Sequence, residues 1–322
     1  MNSPRPDLDP EFLAPVAELP SMPPLGPEVI EFVRRLPQPP IETHLRDRAV
    51  RRREVTVPAA DGTPIPLSVL SPAEQATGAP CVYWIHGGGM MWGDRFSNID
   101  VPLEWLDRFG AVVVTVDYRL APEATGTTLV DDCYHGLRWV AGNAAALGID
   151  PGRVVVAGAS AGGGLAAGVT LMARDLGGPA VAAQLLSCPM LDHRNDTTSS
   201  RQYTGPDGVW TREMNEFGWR SVLGDRTGEE VSPYVSPALA GDLSGLPATY
   251  IDAGTAEVFR DEDVAYATRI WAAGGRAELH MWAGGFHGFA ALFPHVRVSA
   301  AARRAQADWL ARVLDPRPGH RD

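Results

Sequence analysis

Gly158-Ala159-Ser160-Ala161-Gly162 sets a hydroxyl between two glycines, after the apolar run 154–157 and before a helical pattern that opens at Gly163. A serine there becomes a nucleophile if a sharp strand-to-helix turn thrusts it outward. Such a turn needs nearly side-chain-free positions two before and two after the serine, and Gly158 and Gly162 meet that need. The following helix directs its positive end at Ser160. A dinucleotide-binding loop, the competing reading, needs a glycine where Ser160 stands. A second cluster, His86-Gly87-Gly88-Gly89, ends the apolar run 81–85. Consecutive glycines let backbone N–H groups approach a ligand closely. Gly88 and Gly89, with Ala161 as third donor, are the candidate oxyanion hole. His86 is expected to orient this loop rather than to move protons.

A serine of this kind needs a base. Of eight histidines, His44 lies in a connector, His320 in the tail, His135 inside a helical pattern and His280 inside a strand. His193 opens an insertion and His295 starts a helix. His287 alone follows the last strand between glycines, in Gly284-Gly285-Phe286-His287-Gly288-Phe289. An acid is then expected between serine and histidine, after the run 249–253. Glu257, Asp261, Glu262 and Asp263 are candidates. Asp252 lies within the strand, and the last three candidates begin a helix, where the dipole favours acids in any case.

The elements that must carry these residues follow from hydrophobic periodicity. Runs 54–58 and 65–70 flank Asp61-Gly62 as a hairpin. Six more apolar runs follow, at 81–85, 111–116, 154–157, 182–186, 249–253 and 279–282. Helical patterns lie at 131–147, 161–176, 261–273 and 296–313. This alternation predicts an α/β fold, a mostly parallel eight-stranded sheet with helices on both faces. Two short N-terminal helices, at 10–19 and 27–35, must rest on something else. Residues 195–233 hold no strand and carry Trp210, Phe217 and Trp219 on an expected helix. The expected divisions are a cap portion at 1–45, core at 46–194, a cap insertion at 195–233 and core at 234–322.

The chain is also bounded by what it lacks. Among 322 residues all 28 basic ones are arginine, which excludes Schiff-base lysines and lysine-bearing phosphate loops. A net charge of -11 argues against nucleic-acid binding. The arginine run 46–53 reads as a solvated edge strand. Cys81, Cys133 and Cys188 read as buried free thiols. No signal peptide or membrane span is expected, so the expected location is cytoplasmic.

Taken in order (His-Gly-Gly-Gly, elbow serine, acid, histidine), the chain resembles the hormone-sensitive-lipase-like, bacterial family IV esterases of the α/β-hydrolases. The resemblance covers residues 78–315. It rests on Trp84-Ile85-His86-Gly87-Gly88-Gly89, Asp117-Tyr118-Arg119-Leu120-Ala121-Pro122-Glu123, the serine elbow and Gly285-Phe286-His287-Gly288-Phe289. It implies an α/β-hydrolase fold with a helical cap. It also implies carboxylic-ester hydrolysis by a triad of Ser160, His287 and Glu257, with no metal or organic cofactor. Glu257 falls on the acid position, although the family's loop commonly reads Asp-Pro-Leu-Arg-Asp-Glu where this chain has Glu257-Val258-Phe259-Arg260-Asp261-Glu262. Ala159 stands where Asp or Thr is common, and the sequence after Glu123 also departs. Met90, Met91, Trp92, Trp210, Phe217 and Trp219 suggest a crowded apolar pocket for short- to medium-chain acyl esters or a compact lactone. Amide hydrolysis or acyl transfer on the same site is the nearest alternative. A non-catalytic receptor on this fold would have lost the histidine. The expected partner is a small ester, with no nucleic acid and no membrane; a homodimer is compatible.

Overall fold

Side chains of a strand point alternately to the two faces of its sheet, and every residue of β3 (Ala79–Ile85) is buried. Cys81, Tyr83 and Ile85 join one core cluster, and Val82 and Trp84 join another. Both faces are therefore covered, as the apolar runs predict. The structure, a computed structural model, describes residues 4–205, 208–224 and 231–314. Residues 206–207 and 225–230 of the expected insertion, both chain ends and His320 lie outside these residues.

The strands are β1 (Val50–Pro58), β2 (Pro64–Pro72), β3, β4 (Val112–Val116), β5 (Ile149–Ala159), β6 (Ala183–Ser187), β7 (Ala248–Ala256) and β8 (Ala277–Phe286). They form one eight-stranded sheet in the order β1-β2-β4-β3-β5-β6-β7-β8. β1 and β2 make an antiparallel hairpin, β2 pairs antiparallel with β4, and the other pairings are parallel. The arginine run falls on edge strand β1. There Arg52 pairs with Glu42 and Glu54, and nearby Arg48 pairs with Asp107.

Helices cover the two faces unequally. α5 (Thr128–Gly142), α6 (Ala144–Leu147), α7 (Ala161–Asp175) and α10 (Arg260–Ala272) lie on the larger core. α4 (Asp100–Phe109) and α12 (Arg297–Val313) bury Leu103, Leu106, Trp309 and Leu310 on the other. The sequence reading missed α4. Its Leu103, Trp105 and Leu106 have helical spacing, but Pro102 inside the first turn masks the pattern.

The N-terminal helices are α1 (Pro10–Ala17), α2 (Pro27–Arg35) and α3 (Ile41–Leu45). Phe12 of α1 is wholly buried, edge-on to Phe286 at 5.1 Å and Phe289 at 5.8 Å. α8 (Thr198–Gln202) and α9 (Arg212–Leu223) lie between β6 and β7. Trp210 was expected on a helix with Phe217 and Trp219. It instead precedes α9, whose N-cap is Thr211 with its hydroxyl accepting from the Met214 N–H. α11 (Phe289–Leu292) follows β8. No helix among the described residues is long and apolar enough to cross a membrane.

Candidate active site

β5 runs straight into α7, and Ser160 occupies the junction with φ 57° and ψ -124°. A side chain is seldom held at positive φ without surrounding structure enforcing it. Here the enforcement is steric. A Cβ on Gly158 would lie 2.2 Å from the Gly162 carbonyl oxygen, and one on Gly162 would lie 2.1 Å from that of Ile85. The Ser160 N–H donates to Ser187 O at 2.8 Å, fixing the turn against β6.

The Ser160 hydroxyl lies 2.9 Å from His287 Nε2. His287 follows β8, and its Nδ1 lies 2.6 Å from Glu257 Oε2. Because that carboxylate accepts, the neutral imidazole carries its proton on Nδ1 and leaves Nε2 free to accept from serine. Glu257 follows β7 and is 1% exposed; its Oε1 accepts from the Gly254 N–H at 2.9 Å. The other acids are engaged elsewhere. Asp261 stands in the first turn of α10, where an acid was expected to balance the helix, and it also accepts from the Ser199 N–H of α8 and pairs with Arg260. Glu262 accepts the Leu191 and Asp192 N–H groups, holding the chain that leaves β6. Asp263 is fully buried with neither oxygen partnered. Burial, with Glu257 and Glu262 nearby, raises its carboxyl well above the usual range.

Gly88 and Gly89 lie in the loop after β3, next to Gly87, on which a Cβ would lie 3.3 Å from Ser160 Cβ. Among the described residues their N–H groups and that of Ala161 donate to no backbone acceptor in turns or loops. His86 Nδ1 donates to Gly87 O at 2.7 Å while its ring stacks on Tyr118 at 4.3 Å. Tyr118 in turn donates its hydroxyl to His86 O at 2.9 Å. The Asp117–Glu123 motif thus braces the glycine loop, with Arg119 on buried Asp132 through 2.7 and 2.8 Å contacts.

Three further features escaped the sequence reading. Arg34 of α2 donates to Met91 O at 2.7 Å and Ala121 O at 2.8 Å, and pairs with Glu123. Its only signal was a cation on a short amphipathic helix. Cys188 comes within 4.8 Å of the ligand atoms of Glu257 and His287, the one such three-donor group found among the described residues. A metal there would have to displace the Glu257–His287 hydrogen bond. Burial and the carboxylates of Glu257, Asp252 and Asp263 keep the Cys188 thiol well above its ordinary pKa, hence protonated. Asp252, beneath it, accepts from Gln306, Trp282 and Tyr250.

A family model described as α/β-hydrolase fold matches residues 82–291. The chain belongs to this family. Within it, the hormone-sensitive-lipase-like resemblance stands. This hydrolase-fold chain is 35% identical over 231 residues to carboxylesterase NlhH of Mycobacterium tuberculosis, covering 71% of this chain and 72% of that one. It is 32% identical over 274 residues to esterase LipI of the same organism, covering 83% and 82%. A solved bacterial heroin esterase superimposes with a TM-score of 0.88 at 36% identity, covering 96% of this chain and 98% of that one.

Of the expected pocket residues, Trp210 lies beside His287 at a ring separation of 6.3 Å, and Trp92 meets Trp210 edge-on at 5.7 Å. Met90 and Met91 are buried behind the glycine loop, and Trp219 is buried edge-on to His193 at 6.2 Å. Phe217 is partly buried on the main core.

Proposed function

We propose that the chain is a serine carboxylesterase whose triad is Ser160, His287 and Glu257, with the N–H groups of Gly88, Gly89 and Ala161 as its oxyanion hole. The observation that carries this reading is the continuous hydrogen-bonded line from serine through imidazole to a buried carboxylate, at 2.9 and 2.6 Å. The esterase names of its relatives point the same way.

Ser160 attacks the ester carbonyl as His287 Nε2 takes its proton, and Glu257 steadies the resulting imidazolium. The tetrahedral oxygen sits on the three N–H groups, each worth about 3–4 kcal/mol in a transition state of this type. His287 then protonates the leaving alkoxide, and water attacking the acyl-serine, with His287 again as base, releases the acid. His86 orients the oxyanion loop. Residues 1–45 and 195–233 act as the cap, and the substrate is a small ester of short to medium acyl chain or a compact lactone.

Treatment with a fluorophosphonate probe tests the nucleophile. Wild-type protein should be labelled at Ser160. Ser160→Ala should keep its fold and lose turnover by about a millionfold. Near-normal hydrolysis by a clean, folded Ser160→Ala preparation would move the nucleophile elsewhere.

A further inference from the structure

Resting on the reading that Ser160 is acylated, we propose that Trp210 divides the site by size. The ester accepted there joins a short acyl group to a bulky apolar alcohol.

The indole of Trp210 stands between the oxyanion loop and the imidazole. A Cβ placed on Gly89 would lie 2.4 Å from Trp210 Cη2. The His287 ring centroid lies 6.3 Å from that of the indole. The ring is 7% exposed, and two buried amides hold it. Its Nε1 donates to Asn215 Oδ1 at 3.4 Å, and Asn215 Nδ2 donates to Asn195 Oδ1 at 3.0 Å. Trp92 meets it edge-on at 5.7 Å. An indole so fixed is a wall.

The two sides of this wall differ. On the oxyanion-loop side, α9 comes close: a Cβ on Gly218 would lie 3.4 Å from Gly89 O, 3.5 Å from Met91 Cε and 3.7 Å from Met190 Cε. Met91 and Met190 are fully buried, so side chains crowd this volume. On the His287 side lies a cavity of about 560 Å³, whose lining includes Leu8, Val16, Val209, Phe286 and His287 together with the charged Arg5 and Asp7. That size is within the range of pockets that enclose an organic ligand, and its lining is largely apolar.

Proton transfer decides which half of the ester occupies which side. The imidazole that accepts the serine proton must return it to the leaving oxygen. The alcohol half therefore lies against His287 and extends into the open cavity. The acyl half points the other way, beneath Trp210 and against Gly89 and Gly218, where there is room for little beyond an acetyl or propionyl group.

Two substrate series test the division. The first varies the acyl group of p-nitrophenyl esters from acetate to octanoate. The second holds acetate and varies primary alcohols of matched basicity, from ethanol to 2-naphthylmethanol. Wild-type kcat/KM should fall about tenfold or more from acetate to hexanoate and rise along the alcohol series. Trp210→Ala should raise the hexanoate-to-acetate ratio by about tenfold or more, and Trp210→Phe should retain most of the wild-type ratio. The wild-type series need no variant to fold. A wild-type preference for octanoate, or an unchanged ratio in folded Trp210→Ala, would overturn the division. Fluorophosphonate labelling at Ser160 separates the two readings: labelled enzyme with a reversed preference refutes only the division, whereas absent labelling refutes the nucleophile and the division with it.

Discussion

Glu257→Gln keeps the shape of the side chain that faces His287 and turns an acceptor into a group that can present a donor. The imidazole then takes the wrong tautomer, and kcat should drop by about 10⁴ with little change in melting temperature. Asp261→Asn should leave kcat near wild type. It weakens only the contacts to Ser199 and Arg260, and a partly exposed ion pair is worth about 0–1 kcal/mol. Measuring kcat and Tm for both variants decides between them; a crippled Asp261→Asn beside an active Glu257→Gln would reverse the assignment. The serine and histidine were legible because glycines around them state their backbone requirement. The acid was not, except through the family resemblance. Four carboxylates crowd seven positions, and successive helical residues point about 100° apart. Only the folded chain sends Glu257 to His287, Asp261 to α8 and Glu262 to the Leu191 amide. The place of Cys188 beside Glu257 and His287, though not its burial as a free thiol, was illegible for the same reason, since that place depends on β6 ending beside the loop after β7.

At the scale of elements, the bounds of α2 were readable from Pro27 and the apolar spacing, but the role of the helix was not. Arg34 binds two carbonyls that belong to the chain around the oxyanion loop, 57 and 87 residues away in sequence. Arg34→Ala should therefore cost activity as well as stability. Small displacements of positioning groups cost on the order of ten- to a hundredfold in rate, so kcat should fall by that order while Tm drops a few degrees. Unchanged kcat at lowered Tm would make Arg34 a purely structural tie. The Trp210 misplacement has a simple cause. Thr211 is a good N-cap, so the helix begins after it, and hydrophobicity continuing to Trp210 concealed the boundary.

For the molecule as a whole, the buried carboxyl of Asp252 makes stability depend on pH. Burial pushes it up to about 6 from 3.8, against its hydrogen bonds from Gln306, Ser187 and Trp282. The native state thus holds this proton more tightly than the unfolded chain does. The stabilisation is fully present below pH ~4 and is lost as pH rises through ~6, up to about 3 kcal/mol. Glu262 and Asp263 are shifted in the same direction. Asp252→Asn should shrink the difference in denaturation midpoint between pH 4 and pH 7, since the amide oxygen still accepts but no longer titrates. Identical pH profiles for variant and wild type would remove Asp252 from this account.

Ser160 and Glu257 hang from interior strands, while His287 hangs from β8, an edge strand whose one strand neighbour among the described residues is β7, with the Asp9 N–H donating to Gly284 O at 3.0 Å on its outer side. Proteins open locally at free energies below that of global unfolding, and a seam with one neighbour is a place to open. Fraying of β8 would carry the imidazole away from an otherwise intact sheet, and the packing of Phe12 on Phe286 and Phe289 is what resists it. Turnover is then a thermometer of one seam. On heating, ester hydrolysis should fade reversibly a few degrees before the far-ultraviolet circular dichroism changes, and Phe12→Ala should widen that gap. Coincident curves for both proteins would mean that β8 opens only when the whole sheet does.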